Sequence, residues 1–175
     1  MNAAPEIAIG FDFDHTLGRD NALEHKAFYS FAAELGAPLD PRDGVWPSRI
    51  EALRARGIPL AILTNGWSPL QQQKIARALG PGAVKEILVS DQIGAVKPDP
   101  AAFAALLDAL DVPAERAWYV GDNPRGDIGG ALAAGLQAVW FDWEGQTYPA
   151  DVPPPTLRIH ALRELETLAQ NTIAP

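Results

Sequence analysis

The stretch Ile7-Ala8-Ile9-Gly10-Phe11-Asp12-Phe13-Asp14-His15-Thr16-Leu17 decides how the rest of the chain is read. An apolar run ends abruptly in two carboxylates two positions apart, Asp12 and Asp14, with the hydroxyl of Thr16 close behind. Such a run predicts a buried strand of a parallel sheet, and the carboxyl end of such a strand is where open α/β sheets take their ligands. In extended backbone Asp12 and Asp14 leave from the same side, and two carboxylates held that close repel unless a cation sits between them. The pair therefore predicts a hard divalent ion bound through oxygen, Mg²⁺ foremost.

Outward from this strand, helical and extended patterns alternate. Further strands are predicted at Pro59 to Leu63, Glu86 to Val89, Trp118 to Val120 and Gln137 to Phe141, with a brief extended piece at Leu157 to Ile159. Asn21 and Glu24 open a helix whose apolar residues Leu23, Ala27, Phe31 and Leu35 recur every fourth position until Gly36. Other helices are predicted from a Ser48/Glu51 capping box to Gly57, from Ser68-Pro69 to Leu79, from Asp99-Pro100 to Leu110, at Ile128 to Ala134 and near Leu162 to Ala169. Strand–helix alternation implies an α/β fold: a three-layer, Rossmann-like parallel sheet with right-handed crossovers.

Composition limits the function. The 175 residues predict one domain over 1–175 with a real core. Lys and Arg number 14 against 22 Asp and Glu, a net charge of −8 with no basic run, so a nucleic-acid polymer is a poor partner. An anionic substrate must then be drawn in by a metal and a few local cations. With no cysteine there is no disulfide, thiolate metal site or cysteine nucleophile. No apolar run is long enough for a membrane span and no basic-then-apolar leader opens the chain, so a cytoplasmic protein is expected.

Four strands in succession lead into chemically capable residues: Asp12, Asp14 and Thr16; Thr64 and Asn65; Lys97; Asp122 and Asp127. Singly, each suits a turn or a cap, and Asp99 ahead of Pro100 is read as a cap alone. Together they bring acids, a hydroxyl and an ammonium to one end of the sheet, which independent turn chemistry does not explain.

Asp12-Phe13-Asp14-His15-Thr16, then Thr64, Lys97-Pro98 and Gly121-Asp122 through Asp127, resemble the four-motif signature of the haloacid dehalogenase superfamily of aspartyl phosphatases, over Ile9 to about Phe141. The resemblance implies that Asp12 is the nucleophile and Asp14 the acid/base. It implies that Thr64, Asn65 and Lys97 bind phosphate, and that Mg²⁺ is held by Asp12, Asp122 and the backbone carbonyl of Asp14. Asp127 and Thr16 would support the site. The chemistry is coherent in its own right: a carboxylate attacking phosphorus gives a readily hydrolysed acyl phosphate, and phosphoryl transfer asks mainly for positioning and charge neutralisation. Relatives that cleave carbon–halogen bonds lack an acid at the Asp14 position because a halide leaves without a proton, so its presence favours a phosphatase.

Relatives usually carry a helical cap between the first two motifs; here residues 18–42 leave room for one helix, a minimal cap with His25, Lys26 and Tyr29 on or near its exposed side. The expected substrate is a small phosphorylated metabolite, a nucleotide or sugar phosphate, reached through an open site that is shielded either by a large enough substrate itself or by a neighbouring subunit. The alternatives are a phosphatase acting on a macromolecular phosphoester and a non-catalytic module that binds a phosphorylated partner.

Overall fold

The computed structural model of the chain describes residues 7–17, 46–162 and 164–165. Its six strands are β1 (Ala8–Phe11), β2 (Leu60–Thr64), β3 (Glu86–Val89), β4 (Ala117–Gly121), β5 (Gln137–Phe141) and β6 (Leu157–Ile159). They form one all-parallel sheet in the order β3-β2-β1-β4-β5-β6, the α/β, Rossmann-like arrangement that the alternating pattern predicts. The helices are α1 (Trp46–Ala55), α2 (Ser68–Leu79), a short α3 (Ser90–Ile93), α4 (Pro100–Leu110) and α5 (Gly130–Ala133). The expected minimal cap over 18–42, with its helix and with His25, Lys26 and Tyr29, lies outside the described residues, as does most of the expected helix at 162–169.

Alternation along the strands sorts the core onto two faces. Ile9, Phe11, Ile62, Val120 and Val139 bury one face with Ile50 and Leu53 of α1 and Ile75 and Leu79 of α2. Ala8, Ala61, Leu63, Tyr119 and Ala138 bury the other with Phe103, Leu106 and Leu110 of α4 and Ala131 of α5. At Gly10 a Cβ would stand 2.7 Å from Leu106 Cδ2, so the missing side chain lets α4 close on the sheet.

Local signals held in some places and failed in others. Asp99 caps α4, accepting a 2.9 Å bond from the Ala101 amide. Ser68 does not cap α2: it is the first helical residue, and its amide donates to Asp91 Oδ2 at 2.8 Å, so the cap comes from a carboxylate beyond β3. α1 begins at Trp46 rather than Ser48, because Pro47 suits a first helical turn. The helix expected from Ile128 starts earlier, as a π-helical turn over Pro124–Gly129 that continues into α5.

Candidate active site

The sheet order makes the site. From β1 the chain moves outward to β2 and β3, then returns to β4 on the other side of β1, so the carboxyl ends of β1 and β4 part at a topological switch point. Phe11 pairs with Ile62 on one side and Val120 on the other. The register therefore sets Asp12 beside the ends of both neighbours, and the Asp12 amide donates to the Val120 carbonyl at 2.8 Å. Thr64 ends β2, Asp122 follows β4, and Lys97 enters from the loop ahead of α4.

At the centre is the Lys97 ammonium, almost wholly buried. It donates to Asp12 Oδ1 at 2.5 Å, to Asp127 Oδ1 at 2.7 Å and to the Tyr119 hydroxyl at 2.9 Å. Tyr119 in turn donates to the Leu63 carbonyl at 2.7 Å. The second Asp127 oxygen accepts from the Asn123 amide at 3.0 Å. Asp127 reaches this position because residue 121 is glycine: a Cβ there would lie 2.5 Å from the Asp127 Cβ. Thr16 donates to Asp122 Oδ1 at 3.3 Å, a supporting contact for that carboxylate. His15 between the acids adopts φ +59°, a left-handed conformation unfavourable for a side-chain-bearing residue.

Asp12, Asp122 and Asp127 each bring one carboxylate oxygen within 4.8 Å of the others. With all three carboxylates ionised, the Lys97 ammonium would leave two negative charges uncompensated at this point. The acids register that excess. Burial pushes the Asp12 carboxyl up to about 8, with Lys97 pulling against it and Asp127 and Asp122 adding to it. Burial and the neighbouring Asp127 push Asp122 up to about 6. For Lys97 burial works against the charge, but Asp12 and Asp127 outweigh it and hold the ammonium well above its ordinary range. A close set of buried oxygen donors in mutual repulsion fits a hard divalent cation, which supplies the missing charge.

Asp14 departs from the arrangement that its spacing predicts. Its carboxylate stands outside the group that Asp12, Asp122 and Asp127 form. Instead it is ion-paired to Lys74 and accepts from Gln71 Nε2 at 2.8 Å, both donors on α2. The same-side rule for alternate residues holds only in extended backbone, and the strand ends at Phe11.

Thr64 is buried at the end of β2. The Asn65 side chain is engaged with Lys97: its Oδ1 accepts from the Lys97 amide at 2.9 Å and its Nδ2 donates to the Lys97 carbonyl at 3.2 Å. The Gly66 amide is likewise engaged, donating to Ser90 Oγ at 2.9 Å. Tyr119 reads in the sequence as a strand-core residue, and Gln71 and Lys74 as positions along the helix predicted from Ser68-Pro69 to Leu79. Their spacing of three on a helix puts them on one face, the one available sign that they act together.

A family model for hydrolases, described as haloacid dehalogenase-like hydrolase, matches residues 8–135. A phosphoserine phosphatase of Thermus thermophilus is 42% identical over 112 residues, 64% of this chain and 45% of that protein. The pyrimidine 5'-nucleotidase YjjG of Escherichia coli is 31% identical over 147 residues, 82% of this chain and 62% of that protein. The chain thus spans about half the length of these relatives. Among solved structures, a HAD phosphatase from Thermococcus onnurineus superposes with a TM-score of 0.68 at 21% identity, over 93% of this chain and 97% of that one, a likeness of fold.

Proposed function

The chain belongs to the haloacid dehalogenase-like hydrolases, and on that premise we propose that it is a Mg²⁺-dependent phosphomonoesterase working through an aspartyl-phosphate on Asp12. The observation that carries the reading is the charge count at the sheet's carboxyl end: Asp12, Asp122 and Asp127 around Lys97 stand two positive charges short. A divalent ion at Asp12 and Asp122, with the Asp14 carbonyl as a further ligand, would neutralise charge there and let a phosphate dianion approach a carboxylate.

The protein's own groups carry the rest. Asp12 attacks phosphorus: its O–P bond forms as the ester P–O bond breaks, and the departing oxygen takes the electron pair and a proton from Asp14. In the second half a water gives its proton to Asp14 and its oxygen to phosphorus, and the Asp12 carboxylate is released with inorganic phosphate. Thr64 and Lys97 serve the phosphoryl oxygens, where charge needs stabilising during transfer. Tyr119 and Asn65 hold Lys97 from two directions, through its ammonium and its backbone. The acid at position 14 favours phosphate esters over carbon–halogen bonds, because an alkoxide needs the proton that a halide does not.

Phosphatase names among the relatives support a small phosphorylated metabolite as substrate; phosphoserine and a pyrimidine nucleotide are the two they suggest. Residues 18–42 are too few for an independent cap core, which supports an open site. The test is phosphate release from a panel of phosphoserine, nucleoside monophosphates, sugar phosphates and a phosphopeptide, with Mg²⁺ and then with EDTA. Metal-dependent release from one class of metabolite is expected. Release only from the phosphopeptide would move the reading to macromolecular esters, and no release from any would favour a binding module.

A further inference from the structure

We propose that Lys74 and Gln71 are positioning residues for Asp14, fixing the acid/base from the helix that follows the phosphate loop. The proposal rests on the phosphatase reading above and asks what in this chain makes Asp14 effective.

Each oxygen of the Asp14 carboxylate is held by a different donor. Lys74 Nζ is paired with Oδ1, and Gln71 Nε2 donates to Oδ2 at 2.8 Å. Both come from α2, three residues apart, and both side chains are buried, while Asp14 is only partly so. A carboxylate oxygen has two lone pairs. One donor on each leaves a second lone pair on each for the proton that goes to the leaving oxygen and returns from water. Two fixed points also set the plane of the carboxylate, which one contact would not.

Gln71 does a second thing with the same nitrogen. Its Nε2 donates to the Asn65 carbonyl at 2.8 Å as well, so one amide ties the acid to the loop that ends β2. Asn65 in turn clamps the backbone of Lys97. The acid, the phosphate loop and the ammonium beside the nucleophile thus form one connected frame. Close by, a Cβ at Gly66 would meet Gln71 Nε2 at 2.7 Å, and Gly66 has φ +141°, so the glycine makes room for this side chain.

Gln71 Oε1 is buried and, among the described residues, has no hydrogen-bond partner, so the bonds this side chain makes there are those of Nε2 to Asp14 and Asn65.

The test uses leaving-group chemistry on the full chain with Mg²⁺ present. A p-nitrophenolate leaves without a proton, an alkoxide does not, and kcat/KM reports the step in which Asp12 is phosphorylated. Wild type, Lys74→Met, Lys74→Arg, Gln71→Leu and Asp14→Asn are compared on p-nitrophenyl phosphate and on an alkyl phosphate. The ratio of alkyl to aryl kcat/KM is expected to fall by about 100-fold in Lys74→Met, Gln71→Leu and Asp14→Asn alike, and to recover in part in Lys74→Arg. Gln71→Leu gives up the two Nε2 bonds together with the partnerless Oε1, and a melting temperature within a few degrees of wild type, read beside a ratio that still falls, shows that the folded variant has lost the positioning of Asp14. This keeps the test decisive if Lys74→Met does not fold. Equal losses on both esters, an unchanged ratio, or a wild type that cleaves the aryl ester alone would overturn the proposal. A wild type inert toward both esters would instead overturn the phosphatase reading beneath it.

Discussion

Asn65 grips Lys97 by its backbone: the two ends of one side-chain amide meet the Lys97 carbonyl at 3.2 Å and the Lys97 amide at 2.9 Å. This pairing joins the end of β2 to the loop ahead of α4 across 32 residues of chain. The ammonium beside Asp12 is thereby aimed by a residue that does not touch it.

Asn65→Ala should therefore lower activity through misplacement of Lys97, by about 10²-fold in kcat/KM if the ammonium moves by about 1 Å. Loss of the two bonds should cost about 1–2 kcal/mol of stability. Steady-state kinetics and a denaturant melt check both, and wild-type kinetics in the variant would show that Lys97 needs no such clamp.

Gly121→Ala should be more damaging than its size suggests. The new Cβ would fall 2.5 Å from the Asp127 Cβ, so Asp127 or the end of β4 must shift. Overpacking of this kind costs about 1–3 kcal/mol, and metal binding should weaken in parallel because Asp127 sits among the acids of the site. Calorimetric titration with Mg²⁺ checks the second effect; unchanged affinity would separate Asp127 from the metal.

Metal affinity should depend on pH, with a sign that follows from the acids. Burial holds Asp12 up to about 8, and burial with Asp127 holds Asp122 up to about 6. Without metal these groups keep protons that a cation must displace, so apparent Mg²⁺ affinity should rise between about pH 6 and 8 with proton release on binding. A carboxyl raised on folding costs stability as pH rises from its unfolded value up to its folded one, about 6 for Asp122 and about 8 for Asp12, and Mg²⁺ should restore it, so the metal should raise the melting temperature more at the alkaline end. A metal-induced shift that is the same at both ends would contradict this account.

A second pH effect belongs to the far edge of the sheet. Burial opposes the charge of Asp142, yet Arg158 and the Gln146 amide outweigh it and hold the carboxyl below its ordinary value. Arg158 lies on β6 and Asp142 just after β5, so the pair helps fasten the edge strand. The contribution is fully present above the unfolded carboxyl value of about 3.9 and is lost as pH falls through the lower folded value. Because Arg158 is 43% exposed and the pair is screened by solvent, Asp142→Asn should cost about 1 kcal/mol at neutral pH, with less difference from wild type in acid; chemical denaturation at both pH values measures it.

The legible parts of this fold were those that depend on local pattern. Apolar runs leading into polar residues marked β1, β2 and β4, because strands buried on both faces carry their signal in composition. Asp99 with Pro100 marked the start of α4 for a reason confined to three residues. What escaped depends on contacts far apart in sequence. Asp91 caps α2 from beyond β3, which nothing near Ser68 announces. Tyr119 reads as core because its ring is core, packing at 5.2 Å against Phe103, while its hydroxyl alone turns to Lys97. The Asp14 carboxylate meets Lys74 because the backbone is not extended past Phe11, which alternate spacing alone does not reveal. Which helix face looks at Asp14 follows from β2 lying beside β1, a fact of sheet order that sequence spacing does not contain.

The claim on which the account most depends is that Asp12 becomes phosphorylated. Rapid-quench mass spectrometry of the protein mixed with Mg²⁺ and its best substrate should find one transient phosphoryl group on the peptide that contains Asp12. That group should be absent, and turnover lost, in a folded Asp12→Asn variant. Continued turnover by Asp12→Asn, or a phosphoryl group carried on any other residue, would contradict the account.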